Sequence, residues 1–476
     1  NTAVGYGALG ALSSGDSNIC IGSSAGVAIT EEHNVIAIGR NAAATLNDTG
    51  ADGTVAIGRD ALTALTSGAG NTAVGYTAML EETDGNNNTV VGYGAMNDSG
   101  ALTNLDNVFI GRDSGGGTWA NAASSYNTAV GGTALSGAMD NAYYNTAIGF
   151  AALAALTTGD SNICIGKDAG DTITTQSSCI IIGVDAGQLI QHNDADGTVA
   201  IGHNALTALT TGSGNVAVGY QSLQQHTTGD RNVALGYQAM YLTDGDANDA
   251  PDSDDNIAIG YQSMGGNWAD HLKNTDNISI GSNALKGVLA AQVGTIAIGS
   301  SALTDLTSGT GNTAVGYLAA TDISTGIGNT VVGYEALTNA QLAVGYSVAI
   351  GWRAGYKLGD NGNSDHSSYN TAVGYAALGG GDDTVANNIA HYNTAIGYQT
   401  LGGGTHGSDG TAVTATHCVA VGHAAMGSWT AGANSVAIGN GALDGVTTGA
   451  CDDNVAIGKD AMGGDWDDVR VDHAIA

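Results

Sequence analysis

A Val, Ile or Leu followed by Gly returns along the whole chain, from Gly5 to Gly458, 25 times and most often at a step of 17 residues. Insertions stretch some steps, the longest being the 25 residues from Gly397 to Gly422. A short unit repeated this way constrains the fold more than any other feature. One unit is too small to fold alone, so each must bury its apolar row on the next and pair its backbone from coil to coil. A 17-residue unit cannot hold a four-stranded propeller blade, which needs roughly 40 residues. It predicts an all-β, repetitive solenoid of about 25 coils with short parallel strands.

The unit can be read position by position from its glycine. Three residues before stands Thr, Val or Ile, and one before stands Val, Ile or Leu. Between them is mostly Ala, as at Ala3, Ala56 and Ala73, and four before is mostly Asn, as at Asn1, Asn71 and Asn145. The β-branched pair predicts a short strand with its apolar face in the core. The alternate Ala face predicts a close neighbour on the other side. Gly ends the strand, where the backbone needs a positive φ or a close approach. Ala8-Leu9 and Ala61-Leu62 predict a second short strand or a bend, and TSG or TTG stretches supply the closing turn. The Asn column predicts amides laddered from coil to coil.

A longer period overlies the short one. Gly22, Gly58, Gly75 and Gly92 recur as Gly166, Gly202, Gly219 and Gly236, each displaced by 144 residues. An eight-coil block is therefore duplicated. No compositional linker appears, so residues 1–463 read as one continuous repeat domain and 464–476 as the end of the traced segment. Asn1 falls inside a repeat, which predicts a piece of something longer.

Composition excludes several functions. With 11 Lys+Arg against 44 Asp+Glu, the formal net charge is −33. Nucleic acid is not an expected partner, because too few cations are present to neutralise phosphates. Anionic membrane surfaces are disfavoured for the same reason, and no apolar run reaches the 18 residues of a bilayer span. The five cysteines lack metal-ligand spacing. Cys20 and Cys164 take the strand slot usually held by Ala, and Cys179 and Cys418 the slot usually held by Asn.

NTAVGYGAL (Asn1 to Leu9) and NSVAIGNGAL (Asn434 to Leu443) resemble the head repeats of trimeric autotransporter adhesins. They are still more similar to the NTAVGYQAL-type arrays of bacteriophage tail-fibre proteins. The resemblance covers residues 1 to about 463. It implies a left-handed parallel β-roll, three chains wound side by side as a homotrimeric fibre, and an extracellular place on a virion or cell surface. The Ala face would then let neighbouring chains approach. No heptad stalk, membrane anchor or self-cleaving chaperone follows the repeats here.

Candidate chemistry was weighed against the repeat itself. Tyr often follows the glycine (Tyr76, Tyr93, Tyr375, Tyr398), giving broken ladders that read as packing or as a sugar-stacking stripe. Trp119, Trp268 and Trp466 sit eight residues after their glycines and Trp429 seven after; their register favours packing, and a receptor-facing aromatic is the functional alternative. Asp244, Asp246, Asn248, Asp252 and Asp255 approach EF-hand spacing, but Asp249 stands where that loop needs Gly and the twelfth residue is Asp. A solvated acidic loop is favoured over a calcium site, and no other cofactor is expected. The GDSN stretches at Asp16 and Asp160 are similar to a serine-hydrolase motif but lie at closing turns without a partnered His. The chain is therefore expected to be no enzyme. It reads as an attachment fibre that recognises a host-surface glycan or protein. The alternatives are a structural spacer or filament subunit, and a polysaccharide-cleaving tailspike, which would need paired carboxylates in a cleft.

Overall fold

The computed structural model describes residues 1–476 except 49, 101, 120–121, 192, 244–252, 269–272, 341–343, 360–367, 380–389, 403–412, 430, 446–451 and 465–472. The chain divides into two compact units, Asn1–Arg231 and Asn232–Ala476. The first holds thirteen three-residue strands, from Thr2–Val4 to Val216–Val218, and the second holds twelve, from Val233–Leu235 to Val455–Ile457. Within each unit, each strand pairs in parallel and in register with the strand of the next coil, so Val55, Ala56 and Ile57 lie against Thr72, Ala73 and Val74. Each unit is a parallel β-solenoid. The described residues include one 3₁₀ turn, Asn193–Ala195, and no α-helix.

The glycine column fixes the coil corner. Gly58 has φ +139, and a Cβ built on it would lie 2.1 Å from the carbonyl oxygen of Gly75. The corner of one coil thus rests on the corner of the next at a distance that no side chain survives. Backbone conformation and stacking make the same demand, which is why the residue never varies.

The Asn column ladders as the sequence predicts. Asn88 Nδ2 donates to Asn71 Oδ1 at 3.1 Å, and Asn107 Nδ2 to Asn88 Oδ1 at 3.1 Å. Each Oδ1 also accepts the backbone N–H of the next Asn, at 3.0 Å for Asn88 and for Asn107. The second amide hydrogen reaches a turn carbonyl, as from Asn107 to Ser124 at 3.0 Å. These residues are fully buried, so the ladder satisfies polar groups that would otherwise be costly inside the coil. The same arrangement joins Asn232, Asn256 and Asn277 in the second unit.

Two expectations are corrected. The strand faces are inverted: the central Ala points inward, fully buried at Ala56, Ala73 and Ala147, while the flanking Val, Ile and Thr point out and are half-exposed. Alternation tells a strand that it has two faces, but not which is inside. The coil circumference decides that. Across so narrow an interior, the strand centre meets the residues three, four and seven after the glycine, such as Ala61, Leu62 and Leu65, and only a small side chain fits opposite them.

The second correction concerns Ala61-Leu62, which is a bend and no second strand. Leu62 takes φ +50, donates its N–H to Ala78 O at 3.1 Å, and is fully buried. The same left-handed conformation recurs at Leu135, Leu206 and Leu285. Its intrinsic cost of roughly 1–2 kcal/mol per residue is offset by the coil-to-coil hydrogen bond and by burial of the leucine. Beyond the last strand, Ile475 bridges in parallel to Val455, so 473–476 lie on the coil before them.

Candidate functional site

The outward strand face is the broadest surface with a distinct chemistry. None of the residues three before or one before the glycine is charged, in a chain of net charge −33. These side chains are half-exposed, with Ile148 at 39% and Ile396 at 40%. The band is therefore an apolar, β-branched surface within each unit. Contiguous exposed apolar surface of this kind marks an interaction site on soluble proteins.

The residue just after the glycine borders this band. It is never Asp or Glu, and it supplies Arg40, Arg59, Arg112, Lys167 and Lys459, five of the 11 Lys and Arg. Several of these pair with the adjoining carboxylate, as Arg59 Nε does with Asp60 at 2.9 Å. Such exposed pairs add little stability. Elsewhere the column is aromatic. Tyr76 and Tyr93 stack at 5.0 Å, Tyr317 and Tyr334 at 5.2 Å, and Trp352, Tyr375, Tyr398 and His423 form a run at 4.5, 5.0 and 4.9 Å.

A second aromatic column, five before the glycine, borders the other side. Tyr126 stacks on Tyr144 at 5.1 Å, and Tyr346, Tyr369, Tyr392 and His417 form a run at 5.3, 5.0 and 4.8 Å. This column escaped sequence reading, although Tyr126 and Tyr144 stand at matching offsets from Gly131 and Gly149. In the coils of Gly351, Gly374, Gly397 and Gly422 both columns are aromatic, and the strand face between them is Val, Ile and Thr. Aromatic enrichment around a core depleted of charge is the composition of a protein interface.

The ladder geometry bears on the sugar-stacking reading. Tyr369 and Tyr375 each carry a near-parallel ring on both faces, with interplanar angles of 1–11°. A sugar stacks on a free ring face, and these interior rings have none. The edges and hydroxyls are what they present to solvent.

The tryptophans lie inside. Trp119 and Trp268 are 2% exposed and Trp429 is fully buried. Trp119 packs edge-on against Phe109 at 5.8 Å. The receptor-facing reading of these three is corrected: they fill the coil interior where other units use Leu or Ile, such as Leu65 and Ile29. Their indole nitrogens have no hydrogen-bond partner, as expected for rings chosen for volume. Trp466 lies outside the described residues.

Of the acidic stretch, Asp244, Asp246, Asn248 and Asp252 lie outside the described residues, while Asp255 sits in the corner before Asn256 with φ +59. Among the described residues, no three His, Cys, Asp or Glu side chains are grouped to hold a metal ion. At the two GDSN stretches, Asp160 Oδ1 accepts the N–H of Tyr143 at 2.7 Å, and the N–H of Asp16 donates to His33 Nδ1 at 3.0 Å, both between neighbouring coils. Cys20, Cys164, Cys179 and Cys418 are buried free thiols, and burial pushes Cys20 and Cys179 up to about 11, which makes them poor nucleophiles.

One buried acid was missed by sequence reading. Glu82 stands seven after Gly75, in an interior column held by Ile29, Leu46 and Leu65 in earlier coils. Its Oε2 accepts from Asn104 Nδ2 at 2.7 Å and Ser99 Oγ at 3.1 Å, while Oε1 has no partner. Burial pushes its carboxyl up to about 7, against the lowering effect of those hydrogen bonds. The signal that could have found it is a lone acid in an apolar column. No protein-family model matches the chain, and no curated protein matches it.

Proposed function

We propose that this chain is a segment of a structural attachment fibre, in which copies associate laterally through the outward strand face. The observation that carries this reading is the uncharged, half-exposed Val, Ile and Thr band in a strongly acidic chain. A chain that carries this many carboxylates and keeps them all off one face has a partner for that face. The partner is a second and third copy in parallel register, because coils of one pitch match rows of the same pitch. This is the left-handed, homotrimeric β-roll that the resemblance to adhesin heads and phage tail-fibre arrays implies. Its place is extracellular, on a virion or a cell surface, and it needs no enzyme chemistry and no cofactor.

Within this reading the fibre presents closing loops to a host-surface glycan or protein. Burial of Trp119, Trp268 and Trp429 removes the aromatic anchors first considered for that contact and favours the spacer alternative for the described coils. Labelled chain incubated with host cells and with glycan-coated beads separates the two. Saturable binding, competed by unlabelled chain, supports attachment. A folded oligomer that binds neither surface leaves the spacer as the function.

A further inference from the structure

The stacked tyrosines have a chemical consequence beyond packing. Tyr369 and Tyr392 are parallel to within 1° at 5.0 Å, Tyr375 and Tyr398 to 11° at 5.0 Å, and Tyr126 and Tyr144 to 8° at 5.1 Å. All are exposed at their edges, Tyr369 by 50% and Tyr392 by 52%. Each pair joins two coils that are neighbours in the stack but about 17 to 23 residues apart in the chain. We propose that these pairs are sites of oxidative dityrosine formation, which staples one coil covalently to the next.

The chemistry balances with a one-electron oxidant, hydrogen peroxide turned over by a haem peroxidase. Each phenol gives up its hydroxyl hydrogen as one electron and one proton, leaving a phenoxyl radical with spin at the ortho carbons. The two radicals form one Cε–Cε bond. Each ring then moves the hydrogen from that carbon to its oxygen and regains aromaticity. Two hydrogen atoms leave in all, and peroxide takes them up as two molecules of water. The coupling is normally limited by two radicals finding each other before they are quenched. Here the second ring is already in contact, so the encounter becomes a step within one structure. The rings sit at the coil surface, so they can hinge from stacked to edge-joined without disturbing the interior. Both rings of a pair belong to one chain, so the reaction needs no oligomer.

The chain carries its own controls. Tyr6 is 88% exposed, yet the matching position in the next coil is Ser23. Tyr356 is 2% exposed and receives a hydrogen bond from Asn339 Nδ2 at 2.6 Å. The test treats the full chain, mixed as isotopically heavy and light protein, with a haem peroxidase and hydrogen peroxide. Blue biphenol fluorescence and peptide mass mapping read the products. The expected result is linked peptides joining Tyr369 to Tyr392 and Tyr375 to Tyr398, each lighter by two hydrogens and of a single isotopic type. These should exceed links through Tyr6 by about tenfold or more. Tyr392→Phe keeps the ring stack and removes the phenol, so it should abolish the first link and leave the second. Links through Tyr6 as abundant as those of the stacked pairs, heavy-to-light links in their place, or no links at all would overturn the proposal.

Discussion

Phe109 occupies the space that a side chain at position 115 would fill: a Cβ built on Gly115 would lie 2.6 Å from Phe109 Cδ1. The same exchange recurs in other coils. Where the strand centre is Cys20, Cys164 or Ile181, the residue four after the glycine is Gly26, Gly170 or Gly187, and where the centre is Ala56 or Ala129 it is Leu62 or Leu135. Volume is thus shared between two fixed positions across the interior. Phe109→Ala should cost about 3–5 kcal/mol by leaving a cavity. Gly115→Leu alone should cost about 1–3 kcal/mol by overpacking. The backbone itself tolerates leucine there, since Gly115 has φ +63 and Leu135 in the next coil has φ +49. Combined, the two should show a favourable coupling of about 1–3 kcal/mol. Hydrogen exchange of that coil's amides is the measurement, because long repeat arrays do not unfold as a single two-state unit.

Asn107 holds two hydrogen bonds downward and to the turn, and accepts two from Asn127, at 2.9 Å from its N–H and 3.3 Å from its Nδ2. Asn107→Ala leaves the buried Asn127 N–H and Ser124 carbonyl without partners. It should cost about 3 kcal/mol, read as lost exchange protection at Asn127. Asn107→Ser should cost less. Ser347 already serves in this slot, giving its N–H to Asn329 Oδ1 at 3.0 Å and accepting from the Asn370 N–H at 3.2 Å. Equal losses for both variants would remove the ladder from the account of stability.

Glu82 makes one coil sensitive to pH. Its folded carboxyl titrates at about 7, above the ordinary 4.5, because burial opposes the charge. The protonated form is therefore the one the fold favours. Below pH 4.5 the residue is neutral in both states and costs nothing. As pH rises from there through 7 the folded coil loses stability, by about 3 kcal/mol in all, and above 7 the loss is constant. Glu82→Gln should flatten this profile for the coils of Gly75 and Gly92. The measurement is exchange protection between pH 5 and 8, corrected for intrinsic rates. A wild-type profile as flat as the variant's would contradict the assignment.

Much of the coil was legible because repetition averages out accident. The strand, the glycine corner and the Asn ladder all follow from columns that hold one chemistry through 25 units. What was misread is what a column cannot show. Ala73 and Val74 alternate in either orientation, and only the coil's width turns Ala73 inward. Ala61-Leu62 looked like strand because its left-handed backbone, set by stacking, has no glycine to announce it. Trp119 stood out as a rare residue, yet rarity reflected an oversized filler beside Phe109 and no surface role. Glu82 and the Tyr346, Tyr369 and Tyr392 column were visible only by comparing each unit with its neighbours, position by position.

The central claim is that the uncharged strand face is covered by further copies of the chain. Sedimentation equilibrium of the folded protein tests it most directly, with Ile148→Lys and Ile396→Lys combined as the probe. Both residues are about 40% exposed, so lysine can reach solvent in a single folded chain but not between chains. The account predicts three times the chain mass for the wild type, and a shift toward single chains for the variant with its circular dichroism unchanged. A wild type that sediments as one folded chain at all concentrations would contradict it.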